Sequence, residues 1–231
     1  MATVLITGSN RGLGLEFCRQ YAREGWDIIA CCRKPEQAFK LDELVRQYNT
    51  IRIEALDVAD FSQIDALSQK LSDCCIDVLI NNAGVYKDHR EHVFGKLDYQ
   101  AWTETLLVNT LSPVKMAEAF LPQIQRSEKK LIASISSLMG SMADNDAGGS
   151  IFYRSSKAAL NAAMKSLAID LKGQSIGVLI FHPGWVKTDM GGTNALINAD
   201  ESVSGMRSVI NSFSLEHSGS FIKYDGALLP W

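Results

Sequence analysis

The chain has 231 residues, 46% of them hydrophobic and 21% charged, with a formal net charge of −3. It is long enough to bury a full core without staples, and its charge balance gives no reason to expect nucleic acid or an acidic membrane as a partner. Its five cysteines, Cys18, Cys31, Cys32, Cys74 and Cys75, are odd in number and include two adjacent pairs, which seldom form unstrained disulfides; a reducing, cytoplasmic setting is expected.

Apolar β-branched runs alternate with stretches of helical periodicity. In chain order the pattern predicts strand Thr3–Thr7, helix Leu13–Glu24, strand Asp27–Cys32, helix Gln37–Tyr48, strand Ile51–Ala55, helix Ser62–Leu71 and strand Val78–Asn81. Helix Tyr99–Leu121, strand Leu131–Ile135, helix Ile151–Leu171, strand Gly177–Phe181, helix Asp200–Ser212 and a short strand Ser220–Ile222 follow. Short, continuously apolar strands suit a sheet covered on both faces. The expectation is one domain, 1–231, of α/β class: a doubly wound, Rossmann-type, mostly parallel seven-stranded sheet with helices on both faces. The irregular stretches Val85–Leu97, Met139–Ser150 and Gly184–Ala199 each follow a strand, placing them at the carboxyl edge where open α/β sheets bind ligands. Region 185–199, with Gly191 and Gly192, reads as a short substrate lid.

The apolar run "TVLITG" begins at the third residue, leaving no room for a leader, and no apolar run is long enough to span a membrane. His89 and His92 in "KDHREH" fall short of a metal ligand set, and no metal is expected. The segments Leu106–Leu121 and Lys157–Leu171 are apolar nearly all round. One face of each covers the sheet; the other needs a cover, which a second subunit would supply, the alternative being burial against neighbours in a monomer.

"TGSNRGLG", Thr7–Gly14, follows a strand and opens a helix. Gly8, Gly12 and Gly14 permit a tight turn and close approach of a phosphate to free N–H groups at the helix start. An NAD site usually ends the second strand in a carboxylate. Here Cys31 and Cys32 are followed by Arg33 and Lys34, and Arg11 lies inside the glycine loop. Guanidinium groups suit a 2′-phosphate, so NADP is the expected cofactor; the alternative is two ordinary surface arginines.

Tyr153 and Lys157 stand four apart in a helical segment and so share a face. A nearby ammonium favours phenolate, and this lowering of its pKa would suit the tyrosine to proton exchange with a carbonyl oxygen. A hydroxyl from Ser137 could hydrogen-bond the same oxygen. Taken alone, the pair could equally be a surface helix pair.

At these residues the chain resembles the short-chain dehydrogenase/reductase family, along essentially its whole length, and its finer pattern resembles the C-factor/sniffer-like carbonyl reductase branch. The resemblance rests on "TGSNRGLG"; on Asp57 and Val58 in "ALDVAD", matching the adenine-contacting pair; on Asn81, Asn82, Ala83 and Gly84 as "NNAG"; and on Asn109 in "LLVNTLSP". It continues with Ser137 in "SISSLMG", with Tyr153 and Lys157, and with Pro183 and Gly184 in "HPGWVKTDM". The branch is suggested by "YRSSKAALN", "HPGWVKTDMGG" and "YDGALLPW".

The resemblance implies an NADPH-dependent reductase of a ketone or aldehyde with a Ser-Tyr-Lys-Asn proton relay: Asn109, Ser137, Tyr153 and Lys157. It places Asn10, Leu13, Val186 and Thr188 with the glycines, Arg11 and Arg33 on the cofactor. Ser137 precedes Tyr153 by 16 positions, longer than the usual family spacing, which leaves Ser136 and Ser141 as alternatives. Tyr86, Leu138, Met139, Trp185 and Met190 follow motif positions and suggest a substrate pocket with apolar walls. A second reading is an NADP(H)-binding sensor or signalling protein with weak catalysis.

Overall fold

The structure, a computed structural model, describes residues 1–89 and 93–231. His92, one of the histidines weighed above as a metal pair, lies outside the described residues. Seven strands form one sheet: β1 (Thr3–Thr7), β2 (Asp27–Cys32), β3 (Ile51–Ala55), β4 (Val78–Asn81), β5 (Leu131–Ile135), β6 (Gly177–His182) and β7 (Ser220–Lys223). Their order is β3-β2-β1-β4-β5-β6-β7 and every pairing between them is parallel. The chain builds outward from β1 to β3, then returns to lay β4 on the other side of β1. That reversal opens a crevice at the carboxyl ends of β1 and β4.

The helices are α1 (Gly12–Arg23), α2 (Phe39–Gln47), α3 (Phe61–Lys70), α4 (Tyr99–Leu106), α5 (Ser112–Ala119), α6 (Leu121–Gln125), α7 (Ile151–Asp170) and α8 (Ala199–Asn211). Strand residues alternate between two cores, as the period of two demands. Val4, Ile6, Ile28, Ile80, Ala133 and Phe181 pack with Phe17 of α1 and Met206 of α8. Leu5, Ile29, Leu79, Ile132 and Ile180 pack with Ile64 of α3, Met116 of α5 and Leu160 of α7. Among the described residues no helix is long and apolar enough to cross a membrane.

Two predicted helices differ in detail. Gln37–Tyr48 starts later, at Phe39, because Pro35–Gln37 forms a separate 3-10 turn. Tyr99–Leu121 is interrupted: Leu107–Leu111 is a π turn between α4 and α5. Pro113 lacks the N–H an uninterrupted α-helix would use there, and Ser112 Oγ instead donates to the Leu107 carbonyl at 2.7 Å. The bulge falls on Asn109.

Candidate active site

The crevice begins at the glycine loop. Gly8 (φ 67°) and Gly12 (φ 54°) take left-handed backbone that side-chain-bearing residues rarely adopt. The "NNAG" segment braces this turn. Thr7 Oγ1 accepts from the Asn82 and Ala83 N–H groups, both at 3.0 Å, while Asn82 Nδ2 donates to the carbonyls of Thr7 (2.8 Å) and Gly8 (3.1 Å). Gly14 serves the same packing: a Cβ there would stand 2.2 Å from the Gly8 carbonyl oxygen.

A cavity of about 1260 Å³ extends from this loop in both directions. One arm runs past Cys32, Arg33, Asp57 and Val58; the other reaches Ser137, Tyr153, Lys157 and Trp185. All the predicted site residues line it except Gly14 and Asn109. Asn109 is buried behind the wall. Its Oδ1 accepts from Val85 N–H and its Nδ2 donates to the Val85 carbonyl, both at 2.9 Å, and also to Ser156 Oγ at 3.0 Å. A Cβ on Gly84 would sit 3.3 Å from Asn109 Oδ1 and 3.7 Å from Lys157 Nζ, so the "NNAG" glycine lets these two polar groups converge.

The three candidate serines separate clearly. Ser136 Oγ donates to Asn161 Oδ1 at 2.6 Å, and Ser141 Oγ donates to the Trp231 carbonyl at 3.1 Å; both side chains are buried and engaged away from the tyrosine. Ser137 accepts from the Met139 N–H at 3.1 Å, and its hydroxyl lines the same cavity as the Tyr153 phenol, near enough to favour the ionised phenol.

Lys157 is buried. Its Nζ donates to the Ile135 carbonyl at 2.8 Å and lies 5.6 Å from the centre of the Tyr153 ring. Burial pushes its pKa down to about 8. Burial pushes Tyr153 up to about 12, against the lowering by the Ser137 hydroxyl, with Tyr86 nearby adding to the rise. The net shift of the phenol is upward: desolvation outweighs the lowering by Ser137, and the phenol stays protonated at neutral pH.

Several cavity residues were missed. Gln63 accepts from the Asp57 N–H at 2.9 Å, shaping the turn that presents Asp57. Asp189 pairs with Arg11 at 2.7 Å across the cavity mouth, so one cation expected to meet a phosphate has a carboxylate partner on the 185–199 segment. His182, at the end of β6, lines the cavity with its Nδ1 buried and, among the described residues, without a hydrogen-bond partner. Burial and the Lys223 ammonium push it down to about 4, so it is neutral. Its place directly before Pro183 was the available signal.

The family model described as short chain dehydrogenase matches residues 2–196. The chain belongs to the short chain dehydrogenase family. It is 43% identical to the C-signal of Myxococcus xanthus over 156 residues, covering 68% of this chain and 93% of that protein. Among solved structures, the carbonyl reductase Sniffer of D. melanogaster superposes with a TM-score of 0.92 at 36% identity, covering both chains fully. The NADPH-bound carbonyl reductase from chicken fatty liver superposes with a TM-score of 0.92 at 32% identity, over 100% of this chain and 99% of that one. The short chain dehydrogenase assignment accounts for the strand order and for the crevice at the β1/β4 reversal.

Proposed function

We propose that this chain is an NADPH-dependent reductase of small ketones or aldehydes. The observation that carries this reading is the convergence of the Ser137 hydroxyl, the Tyr153 phenol and the Lys157 ammonium in one cavity that continues to the glycine loop. The residues fit NADP. The second strand ends in Cys32 followed by Arg33, with no carboxylate to repel a 2′-phosphate, and the amino end of α1 at Gly12 is open to a pyrophosphate. The NADPH-bound structure of the chicken fatty liver relative supports the choice. The bound cofactor supplies the hydride.

The chain's own residues handle the oxygen and the proton. Ser137 orients the carbonyl oxygen. Tyr153, protonated at neutral pH, gives its proton to that oxygen as it gains charge, because an alkoxide is a stronger base than a phenolate. Lys157 stabilises the phenolate left behind, and Asn109 holds the Val85 wall against α7. Tyr86, Leu138, Trp185 and Met190 form the substrate side, with 185–199 as its lid. The exposed Leu111 and Ile169 on α5's approach and α7 support a homo-oligomer through those helices, and five free cysteines suit the cytoplasm.

The test is NADPH consumption with a panel of carbonyl compounds. Tyr153→Phe should abolish turnover while retaining NADPH binding; unchanged turnover would sink the mechanism. A sensor or signalling reading is favoured by one observation, the likeness to the C-signal. A Tyr153→Phe variant that still complements a deletion strain would favour it.

A further inference from the structure

The helix that carries Tyr153 lacks a cap of its own. Gly148, Gly149 and Ser150 enter α7 with three successive positive φ angles, and Ser150 makes no side-chain capping bond. The N–H groups normally taken up by an N-cap are those of the second and third helical residues, here Phe152 and Tyr153. Both are satisfied from the loop after β4: Phe152 N–H donates to Asp88 Oδ1 at 3.1 Å, and Tyr153 N–H donates to Asp88 Oδ2 at 2.8 Å. The capping carboxylate comes from 64 and 65 residues earlier in the chain.

The three residues before Asp88 are held by a run of contacts. Val85 is bonded twice to Asn109; the Tyr86 hydroxyl pairs with Ser150 Oγ at 2.7 Å and its ring lies 5.1 Å from the Tyr153 ring; Lys87 is ion-paired to Glu104. Four consecutive residues therefore tie the "NNAG" loop to the π turn, to α4 and to the first turn of α7. We infer that Asp88 is a positioning residue for proton transfer: its carboxylate caps α7 in trans and fixes where the Tyr153 phenol stands relative to Ser137. The inference rests on Tyr153 being the proton donor proposed above. Asp88 is not among the residues that line the cavity.

The experiment compares Asp88→Ala, Asp88→Asn, Asp98→Ala and Tyr153→Phe in the full chain. Asp98 caps α4 by accepting from Ala101 N–H at 3.0 Å and so reports the effect of simply losing a helix cap. Displacing a reacting group by about 1 Å lowers rates by about a hundredfold, so kcat should fall to that order in Asp88→Ala and by about tenfold in the near-isosteric Asp88→Asn, which keeps one acceptor. NADPH affinity, measured by fluorescence titration, should stay within about twofold in both, and Asp98→Ala should lower thermal stability with little change in kcat. The inference is overturned if Asp88→Asn folds and keeps wild-type kcat, if NADPH affinity falls in step with kcat, or if Asp98→Ala loses as much turnover. Full activity in Tyr153→Phe would instead remove the proton-donor reading on which the inference stands.

Discussion

Replacing Lys157 with methionine should abolish turnover and remove a pH dependence of stability that the buried ammonium imposes. The buried ammonium has its pKa pushed from 10.5 to about 8 by loss of solvent. Between those two values the unfolded chain holds a proton that the folded one has released, so wild-type stability rises with pH across the window. The full gap corresponds to about 3 kcal/mol of destabilisation present below about pH 8 and relieved above about pH 10. Methionine removes that burden, but it leaves the Ile135 carbonyl without the 2.8 Å bond from Nζ, a loss of about 1–3 kcal/mol for a buried acceptor. The absolute change at neutral pH is therefore a small difference, whereas the pH dependence is not. Urea unfolding of cofactor-free wild type and Lys157→Met at about pH 7 and about pH 9.5 should show the stability difference moving by about 2 kcal/mol in favour of the wild type. Tyr153 lies outside this comparison, since its folded pKa of about 12 exceeds its ordinary value of 10.0 and its effect appears only above that value, in both proteins alike. A stability difference that stays constant across the range would refute the claim that Lys157 is held desolvated.

Three further outcomes follow from other residues. Gly140→Ala would place a Cβ 2.8 Å from the Lys157 carbonyl carbon and 2.9 Å from its Cβ; this overpacking against helix backbone should lower stability by about 1–3 kcal/mol and reduce kcat, and wild-type melting and turnover would contradict it. Arg33→Ala should weaken NADPH binding by about tenfold or more in fluorescence titration while leaving NADH binding nearly unchanged, since only the 2′-phosphate needs the guanidinium. His182 is pushed from 6.5 to about 4, so the unfolded chain binds its proton first as pH falls and stability declines between those values; His182→Gln should flatten that decline in acid melts, by at most about 3 kcal/mol.

The strands were legible because buried parallel strands are read from composition alone: β1 to β5 begin and end where the apolar runs do, and β6 and β7 extend one residue further. The glycine loop, Tyr153 and Lys157 were legible because local geometry, a turn and a helical repeat, brings their atoms together. What escaped depends on partners distant in sequence. The spacing of "SISSLMGS" allows three serines; only the partners Asn161 and Trp231 remove Ser136 and Ser141 from the choice. Arg11 reads as a free cation until Asp189 is seen beside it. The π turn was signalled by Pro113, yet the segment still read as one helix: one extra residue turns the apolar face by about 100°, but Leu106–Leu121 is apolar nearly all round and hides the shift. The net upward shift of Tyr153 was not legible for a related reason: spacing shows that two groups are near, but burial adds its own preference for the neutral phenol.

The long separation between Ser137 and Tyr153 does not loosen the site, because its two ends are fastened independently. At the serine end, Gly140 lies against the Lys157 backbone, closely enough that no side chain fits, and Ser141 and Ala143 are bonded to the Trp231 carbonyl. At the tyrosine end, Asp88 and Tyr86 hold Phe152, Tyr153 and Ser150. Residues 142–149 between these anchors are all exposed. Chain added there extends into solvent, and the entropy of a surface loop changes only slowly with its length. The distance between the serine hydroxyl and the phenol is thus set by β5, α7 and the loop after β4, each built on the sheet, rather than by the number of residues joining them. Motif spacing along the chain is consequently a poor guide to which serine faces the tyrosine, whereas the anchors on either side are a good one.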